Sequence, residues 1–119
     1  MENLPKCSFR IMGLSESNLS GLENKHIDKL EKYNYRKGSD YKNRSKKSLI
    51  LLLNEKIKYE FLQNLIDESL SDISYDFFIS VCSDEQTAII DIPQYILDLY
   101  KEVGGKMCFS YTCIFEPEE

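Results

Sequence analysis

The sequence lacks the residues that common metal and catalytic sites require. Its only histidine is His26, and its four cysteines form no C-x-x-C pair. A structural zinc site normally takes four cysteine or histidine ligands at close spacing, so we expect no bound metal. Nucleophilic catalysis normally places a serine, cysteine or threonine beside a base, and His26 falls in an apolar helical pattern that is typical of a packing residue. We therefore expect no catalytic residues.

Glycine-rich phosphate loops are also missing. The chain has five glycines, which form neither the Gly-x-Gly-x-x-Gly nor the Gly-x-x-x-x-Gly-Lys pattern. The tripeptide Gly104-Gly105-Lys106 follows a predicted helix, whereas a phosphate loop precedes one, so we interpret it as a helix stop. The carboxyl-terminal half has too many carboxylates for the pattern to indicate one acid–base pair. The sequence thus predicts a chain that is not an enzyme and needs no cofactor.

Long apolar runs are absent as well. The longest, Leu49–Leu53, is far shorter than the about 20 residues of a membrane-spanning helix. Residues 1–7 have no apolar segment of the kind found in signal peptides, so we expect a cytoplasmic protein with no membrane partner. The four cysteines fall in apolar, strand-like stretches, and we expect them to be reduced and buried. They are Cys7, Cys82, Cys108 and Cys113.

The composition is that of one globular domain. With 119 residues, 42% hydrophobic and 29% charged, the chain can bury about two thirds of its unfolded surface. No repeat or linker divides it. We expect a single domain over residues 1–119, with its core at residues 7–115 and an acidic tail at residues 116–119.

The apolar periodicity predicts an α+β fold. Alternating apolar residues such as Cys7, Phe9 and Ile11 are typical of strands, and spacings of three and four are typical of helices. The pattern gives five strands, at residues 7–12, 48–53, 73–82, 87–90 and 107–115, and three helices, at residues 19–30, 55–70 and 93–103. A hairpin formed by the third and fourth strands favours a mixed or mainly antiparallel sheet of about five strands, with about three helices packed on it.

Charge is divided unevenly along the chain. Residues 1–54 carry a net charge of +5 and residues 55–119 one of −10. The basic excess falls at residues 29–47, where tyrosines lie among lysines and arginines. Cations for phosphates and rings for base stacking are what a single-stranded nucleic-acid groove uses, which leaves open an alternative function as a nucleic-acid-associated or phage-encoded regulatory protein. We favour a solvated loop, because the rest of the chain would repel a polyanion.

The acidic half suggests a surface that binds a basic protein. Opposed potentials speed the encounter of two proteins and fix their orientation, although a solubilising surface would explain the same residues. The first candidate for partner binding is a stretch dense in carboxylates, with a tyrosine as aromatic anchor: Asp84, Glu85, Asp91, Tyr95, Asp98 and Glu102. The second candidate comprises Asp67, Glu68, Asp72 and Asp76.

Three segments follow one another along the chain. The first is the opening strand Cys7-Ser-Phe-Arg-Ile-Met-Gly, and the second is the predicted turn Lys37-Gly-Ser-Asp. The third is Ile90-Asp-Ile-Pro-Gln-Tyr-Ile-Leu-Asp-Leu-Tyr, which precedes a glycine pair and a last strand. Over residues 7–115 this order resembles a group of small bacterial domains, some of them immunity proteins of polymorphic-toxin or contact-dependent growth-inhibition systems. The resemblance implies a protein that binds a cognate toxin domain, often a nuclease, and blocks its active site or substrate path. Because nucleases that grip phosphates are commonly basic, the acidic half fits this function independently.

Overall fold

The fold is one mixed sheet with helices on one of its faces. A computed structural model of the chain describes residues 5–39, 43–69, 72–83 and 91–113. Within these ranges the elements, in chain order, are β1 (Lys6–Leu14), α1 (Glu16–Lys32), β2 (Arg36–Ser39), β3 (Lys47–Leu52), α2 (Tyr59–Asp67), β4 (Ser74–Ser83), α3 (Gln94–Val103) and β5 (Lys106–Cys113). The predicted α+β class, with a mixed five-stranded sheet and three helices, is confirmed.

The strands lie in the order β2-β3-β1-β4-β5. The pairs β2–β3, β3–β1 and β1–β4 are antiparallel, and β4–β5 is parallel. The first four strands and two helices thus have the β-α-β-β-α-β order of the split βαβ motif, to which α3 and β5 are added at the β4 edge. None of the helices in the described ranges is long and apolar enough to cross a membrane.

Alternation along the strands separates the two faces of the sheet. On β1, Cys7, Phe9 and Ile11 are buried beneath the helices, whereas the residues between them are only half-buried. Phe9 lies opposite Phe77 on β4, with ring centroids 5.2 Å apart in a tilted arrangement. A fully buried phenylalanine contributes about 1.5 to 3 kcal/mol from its transfer out of water, so this pair is a principal stabilising contact.

The two carboxyl-terminal helices run in the same direction. The helix α2 leads from the end of β3 to the start of β4, and α3 leads from the end of β4 to the start of β5. Because β3, β4 and β5 are parallel to one another, both helices begin at one end of the sheet and finish at the other. Ile96, Leu99 and Val103 of α3 and Phe61, Leu62 and Leu65 of α2 are buried in the same core.

Three elements differ from those that the periodic pattern predicts. The helix α1 begins before residue 19 because the Ser15 hydroxyl caps it, accepting the Asn18 N–H at 3.1 Å. The helix α2 begins only at Tyr59, because Asn54 forms a turn in which its side chain accepts the Lys56 N–H at 2.8 Å. The strand β2 includes residues 37–39, where the turn predicted from Lys37-Gly-Ser-Asp is wrong and the alternative, a short extended piece around Gly38, is confirmed.

Three of the sequence predictions concern residues beyond the described ranges. They are the strand at residues 87–90, its hairpin, and the acidic tail at residues 116–119. Cys7 is a buried free thiol, as predicted, whereas the free thiol of Cys108 is only half-buried. The side chains of Cys82 and Cys113 fall outside the description.

Candidate functional site

The helix α3 presents part of the first predicted partner-binding set to solvent. Asp98 and Glu102 are exposed and lie four residues apart, so they share one face of the helix. Asp91 is also exposed, but it precedes α3 and lies at the opposite end of the helix from Glu102. Asp84 and Glu85 lie outside the described residues. The structure therefore unites two of the five predicted carboxylates and separates a third from them.

The predicted anchor Tyr95 lies mostly inward. Its ring packs against the core, and its hydroxyl donates to the Leu53 carbonyl oxygen at 3.4 Å. Burial raises the pKa of Tyr95. The exposed apolar side chain of this helix is instead Leu97, with 39% of its surface accessible. Sequence reasoning missed it, although its signal was available: a leucine that falls off the apolar stripe of a helix.

The second predicted set divides into free and paired carboxylates. Asp67 and Asp72 are exposed. Glu68 accepts from Lys25 Nζ at 2.6 Å and lies 2.5 Å from His26 Nε2, and these two contacts lower its pKa. The fourth residue, Asp76, is only 4% exposed and lies on the other face of the sheet, so it adds no free charge to the helical side.

The free carboxylates of the helical layer lie toward one of its ends. Asp67 is the last residue of α2, Glu102 is in the last turn of α3, and the two helices contact each other and finish at the same end of the sheet. Asp72 lies between α2 and β4 at this end, and Asp98 lies one turn before Glu102. We call Asp67, Asp72, Asp98 and Glu102 the acidic surface.

Neutral donors, and not lysines, orient two of these carboxylates. The Gln63 amide donates to Asp67 at 3.0 Å, and the Gln94 amide donates to Asp98 at 3.0 Å. Each pair spans four residues on its own helix, the spacing at which a glutamine supports an aspartate. An amide fixes the position of a carboxylate without cancelling its charge, so both aspartates keep their negative charge at the surface.

Helix stability does not explain the position of these charges. The carboxyl terminus of a helix carries a partial negative charge, at which a carboxylate is unfavourable and a lysine favourable. The last turn of α2 contains no basic residue, yet Asp67 lies there. Glu68 follows as the carboxyl-terminal cap, and Lys25 and His26 compensate its charge, whereas no cation pairs with Asp67 among the described residues. The helix dipole therefore does not account for the position of Asp67.

The basic stretch at residues 29–47 does not form one groove. Lys37 pairs with Glu23 at 3.1 Å, and Lys29 lies 5.5 Å above the Phe61 ring. Tyr33 and Tyr35 are half-buried and pack against the core, and the Tyr35 hydroxyl donates to Glu23 at 2.5 Å, so both rings serve the fold. Residues 40–42 fall outside the description. No contact in the part of the stretch that is described favours a nucleic-acid site there.

Neither a metal-ligand cluster nor a similar protein indicates a function for this chain. In the described part of the chain, no three histidine, cysteine, aspartate or glutamate side chains gather as a metal site would require. No protein-family model, curated protein or solved structure matches this chain. The function must therefore be argued from the residues and their geometry.

Proposed function

We propose that the chain is an immunity protein that binds a cognate bacterial toxin domain through the acidic surface and thereby neutralises it. The toxin domain would be a cation-rich nuclease whose phosphate-binding residues face Asp67, Asp72, Asp98 and Glu102. The observation that carries the proposal is the orientation of Asp67 and Asp98 by glutamine amides, because it leaves charge available for a partner.

Charge distribution supports a basic partner. Residues 55–119 have a net charge of −10, and Lys101 is the only cation on α2 and α3. Complementary potentials of this kind raise association rates and hold a partner in register. An inhibitor whose carboxylates replace substrate phosphates would also exclude nucleic acid from the nuclease, which is how binding would become neutralisation.

The first test is co-purification. The domain encoded at the carboxyl terminus of the reading frame immediately upstream should form a stoichiometric complex with this chain, and the chain should abolish its activity. Absence of any complex with that domain would remove the proposal.

The second test places the interface. The double substitution Asp98→Lys, Glu102→Lys should weaken the complex by about tenfold or more, and the loss should shrink as salt rises. The double substitution Asp28→Lys, Glu31→Lys is the matched control, since both residues are exposed carboxylates on α1, outside the acidic surface, and the net charge changes by the same amount. Equal losses for the two double substitutions would show that net charge, and not this surface, governs binding.

The third test offsets the charge of Asp98 while keeping its carboxylate. The substitution Gln94→Lys places a cation beside Asp98 at the same helical spacing, so it should weaken the complex while leaving both aspartates present. Gln94→Ala removes the amide and adds no charge, and should have the smaller effect. If Gln94→Lys binds as tightly as the unaltered chain, Asp98 does not meet a cation of the toxin.

A further inference from the structure

The face of the sheet away from the helices carries a second charged surface, of opposite sign. Strand register places five residues in one row across the sheet, because each lies directly opposite the next on neighbouring strands. From β2 to β5 they are Arg36, Ile50, Arg10, Asp76 and Lys106. Three cations and one carboxylate in this row make the open face positive, whereas the acidic surface on the helical side is negative.

A groove of about 520 Å³ lies beside this row. Its floor is apolar, formed by Ile50 and Leu52 of β3 and Phe78 of β4, and Leu52 is 42% exposed. Cations flank the floor: Arg36 and Arg10 on the side of the row, and Lys6 at the far end of β1. The remaining lining residues are polar: Ser8, Asn34 and Ser80.

The cations of the groove exceed the acids available to them. Asp76 is the one carboxylate on this face in the described strands. It already accepts two hydrogen bonds from Arg10, at 2.8 and 2.5 Å. Those two bonds use two of the five guanidinium donors of Arg10. Lys6 and Arg36 are exposed and have no acidic partner among the described residues. The groove therefore retains uncompensated positive charge around an apolar floor.

A single-stranded nucleic acid fits this groove poorly. Stacking of bases requires aromatic rings with a free face. The groove has one ring, that of Phe78, and the Arg10 guanidinium covers it at 4.2 Å from the ring centroid. Ile50 and Leu52 of β3 instead offer an aliphatic surface, which suits the apolar side chains of a peptide. An apolar floor between cations matches a peptide that combines carboxylates with apolar side chains.

We propose that this groove binds an extended acidic peptide segment of another protein. Apolar side chains of the segment would lie on Ile50 and Leu52, and its carboxylates would pair with Arg36, Lys6 and the free donors of Arg10. Four strands spaced about 4.8 Å apart extend over about 14 Å from the first to the last, a distance that about four extended residues span. This site is independent of the toxin interface, because it lies on the other face of the sheet.

A labelled peptide of sequence Glu-Glu-Ile-Phe-Glu-Glu tests the site by fluorescence anisotropy. We expect saturable binding that weakens as salt rises, and a loss of about tenfold or more in the variants Arg36→Glu and Lys6→Glu. Arg44→Glu is the matched control, since Arg44 is exposed in the loop before β3 and does not line the groove. A peptide with glutamine in place of each glutamate should bind at least about tenfold more weakly.

Three outcomes would overturn the proposal. Equal effects of Arg36→Glu and Arg44→Glu would show that the peptide responds only to net charge. Tighter binding of an oligo-dT strand than of the peptide, lost in Arg36→Glu, would identify a nucleic-acid surface. A large gain in peptide affinity on removal of residues 114–119, which contain three glutamates, would identify this chain's own carboxyl-terminal segment as the occupant.

Discussion

Arg10 of β1 and Asp76 of β4 lie directly opposite each other, and the guanidinium holds the carboxylate through two hydrogen bonds, from Nε at 2.8 Å and from Nη2 at 2.5 Å. Asp76 is buried, whereas the Arg10 side chain is 28% exposed and covers the Phe78 ring. The Asp76 bond is also the main reason that the pKa of Arg10 is raised. The pair ties the two central strands together on the open face.

Removing only one member of this pair should destabilise the fold. Asp76→Ala leaves Arg10 without its acceptor, and we expect a loss of about 2 kcal/mol in the free energy of unfolding, less than for a fully buried pair because Arg10 reaches solvent. The double variant Arg10→Met, Asp76→Leu should lose less than the sum of its single variants, by about 1 kcal/mol or more, since neither charge is stranded. Urea unfolding of Arg10→Met, Asp76→Leu and the double variant measures this coupling, and additive losses would show that the pair is not coupled.

Gly105 should tolerate no side chain, in contrast to Gly21. The backbone of Gly105 has φ +94°, and a Cβ there would lie 2.5 Å from Cε2 of Tyr75. We expect Gly105→Ala to lower the free energy of unfolding by about 2 kcal/mol or more through strain and overlap.

Gly21→Ala is the matched control. This glycine lies inside α1, where an added Cβ meets nothing within 4 Å. Alanine there should raise stability by about 0.5 to 1 kcal/mol, since glycine is a poor helix former. Thermal unfolding should show opposite shifts for the two variants, and a shift of the same sign for both would contradict the glycine geometry described here.

The Glu68 contacts predict a pH-dependent contribution to stability. Its bonds with Lys25 and then with His26 lower the pKa of Glu68 below its ordinary value of 4.5. Because the pKa of Glu68 is lower in the folded state, its ionised carboxylate stabilises the fold at pH values above its ordinary pKa. This stabilisation is lost as the pH falls through the lowered pKa. Glu68→Gln should therefore be less stable than the unaltered chain at neutral pH, and the gap should close in acid.

Glu60→Gln controls for the loss of a surface carboxylate. Glu60 is exposed in the first turn of α2 and has no hydrogen-bond or ion-pair partner among the described residues. Because only the helix dipole favours its charge, its variant should lose about 0.5 kcal/mol or less at neutral pH, clearly less than Glu68→Gln. A gap for Glu68→Gln that stays constant with pH would mean that packing, and not the charge of Glu68, accounts for the difference.

Periodicity was enough to predict the layers of the fold. The strands and helices that bury alternating or stripe-like apolar residues, such as β1 with Phe9 and Ile11, follow from pattern alone. The short strand β2 could not be predicted this way, because Arg36–Ser39 contains no buried residue. It exists because β3 offers an unpaired edge, which is a property of the sheet and not of the segment.

The candidate site was predictable only in part, for the same reason. Net charge identified the carboxyl-terminal half as acidic, but a count of carboxylates cannot show which of them are already paired. Nothing in the sequence distinguishes Asp76 and Glu68 from Asp67 and Asp72. In the fold, however, Asp76 pairs with a residue 66 positions away and Glu68 with one 43 positions away. The cations of the open face were equally invisible, since Lys6, Arg36 and Lys106 come together only through strand register.

Leu97 should be the apolar anchor of the toxin interface. It is exposed on α3, the helix that carries Asp98 and Glu102, and burial of its apolar surface by a partner would be favourable. Leu97→Ala should weaken the toxin complex by about tenfold, while its exposure should keep the change in stability within about 0.5 kcal/mol. Isothermal titration with the purified toxin domain measures the first effect and thermal unfolding the second.

Leu52→Ala provides the comparison that makes this prediction sharp. Leu52 is exposed to a similar extent, 42% against 39% for Leu97, but it lies in the groove on the open face of the sheet. Both variants lose the same atoms from a comparably exposed leucine, so only the face differs between them. If the toxin binds the acidic surface, Leu52→Ala should keep full affinity. The reverse result, with affinity lost in Leu52→Ala and kept in Leu97→Ala, would place the toxin on the open face, because the leucine whose truncation weakens the complex must be the one that the toxin buries.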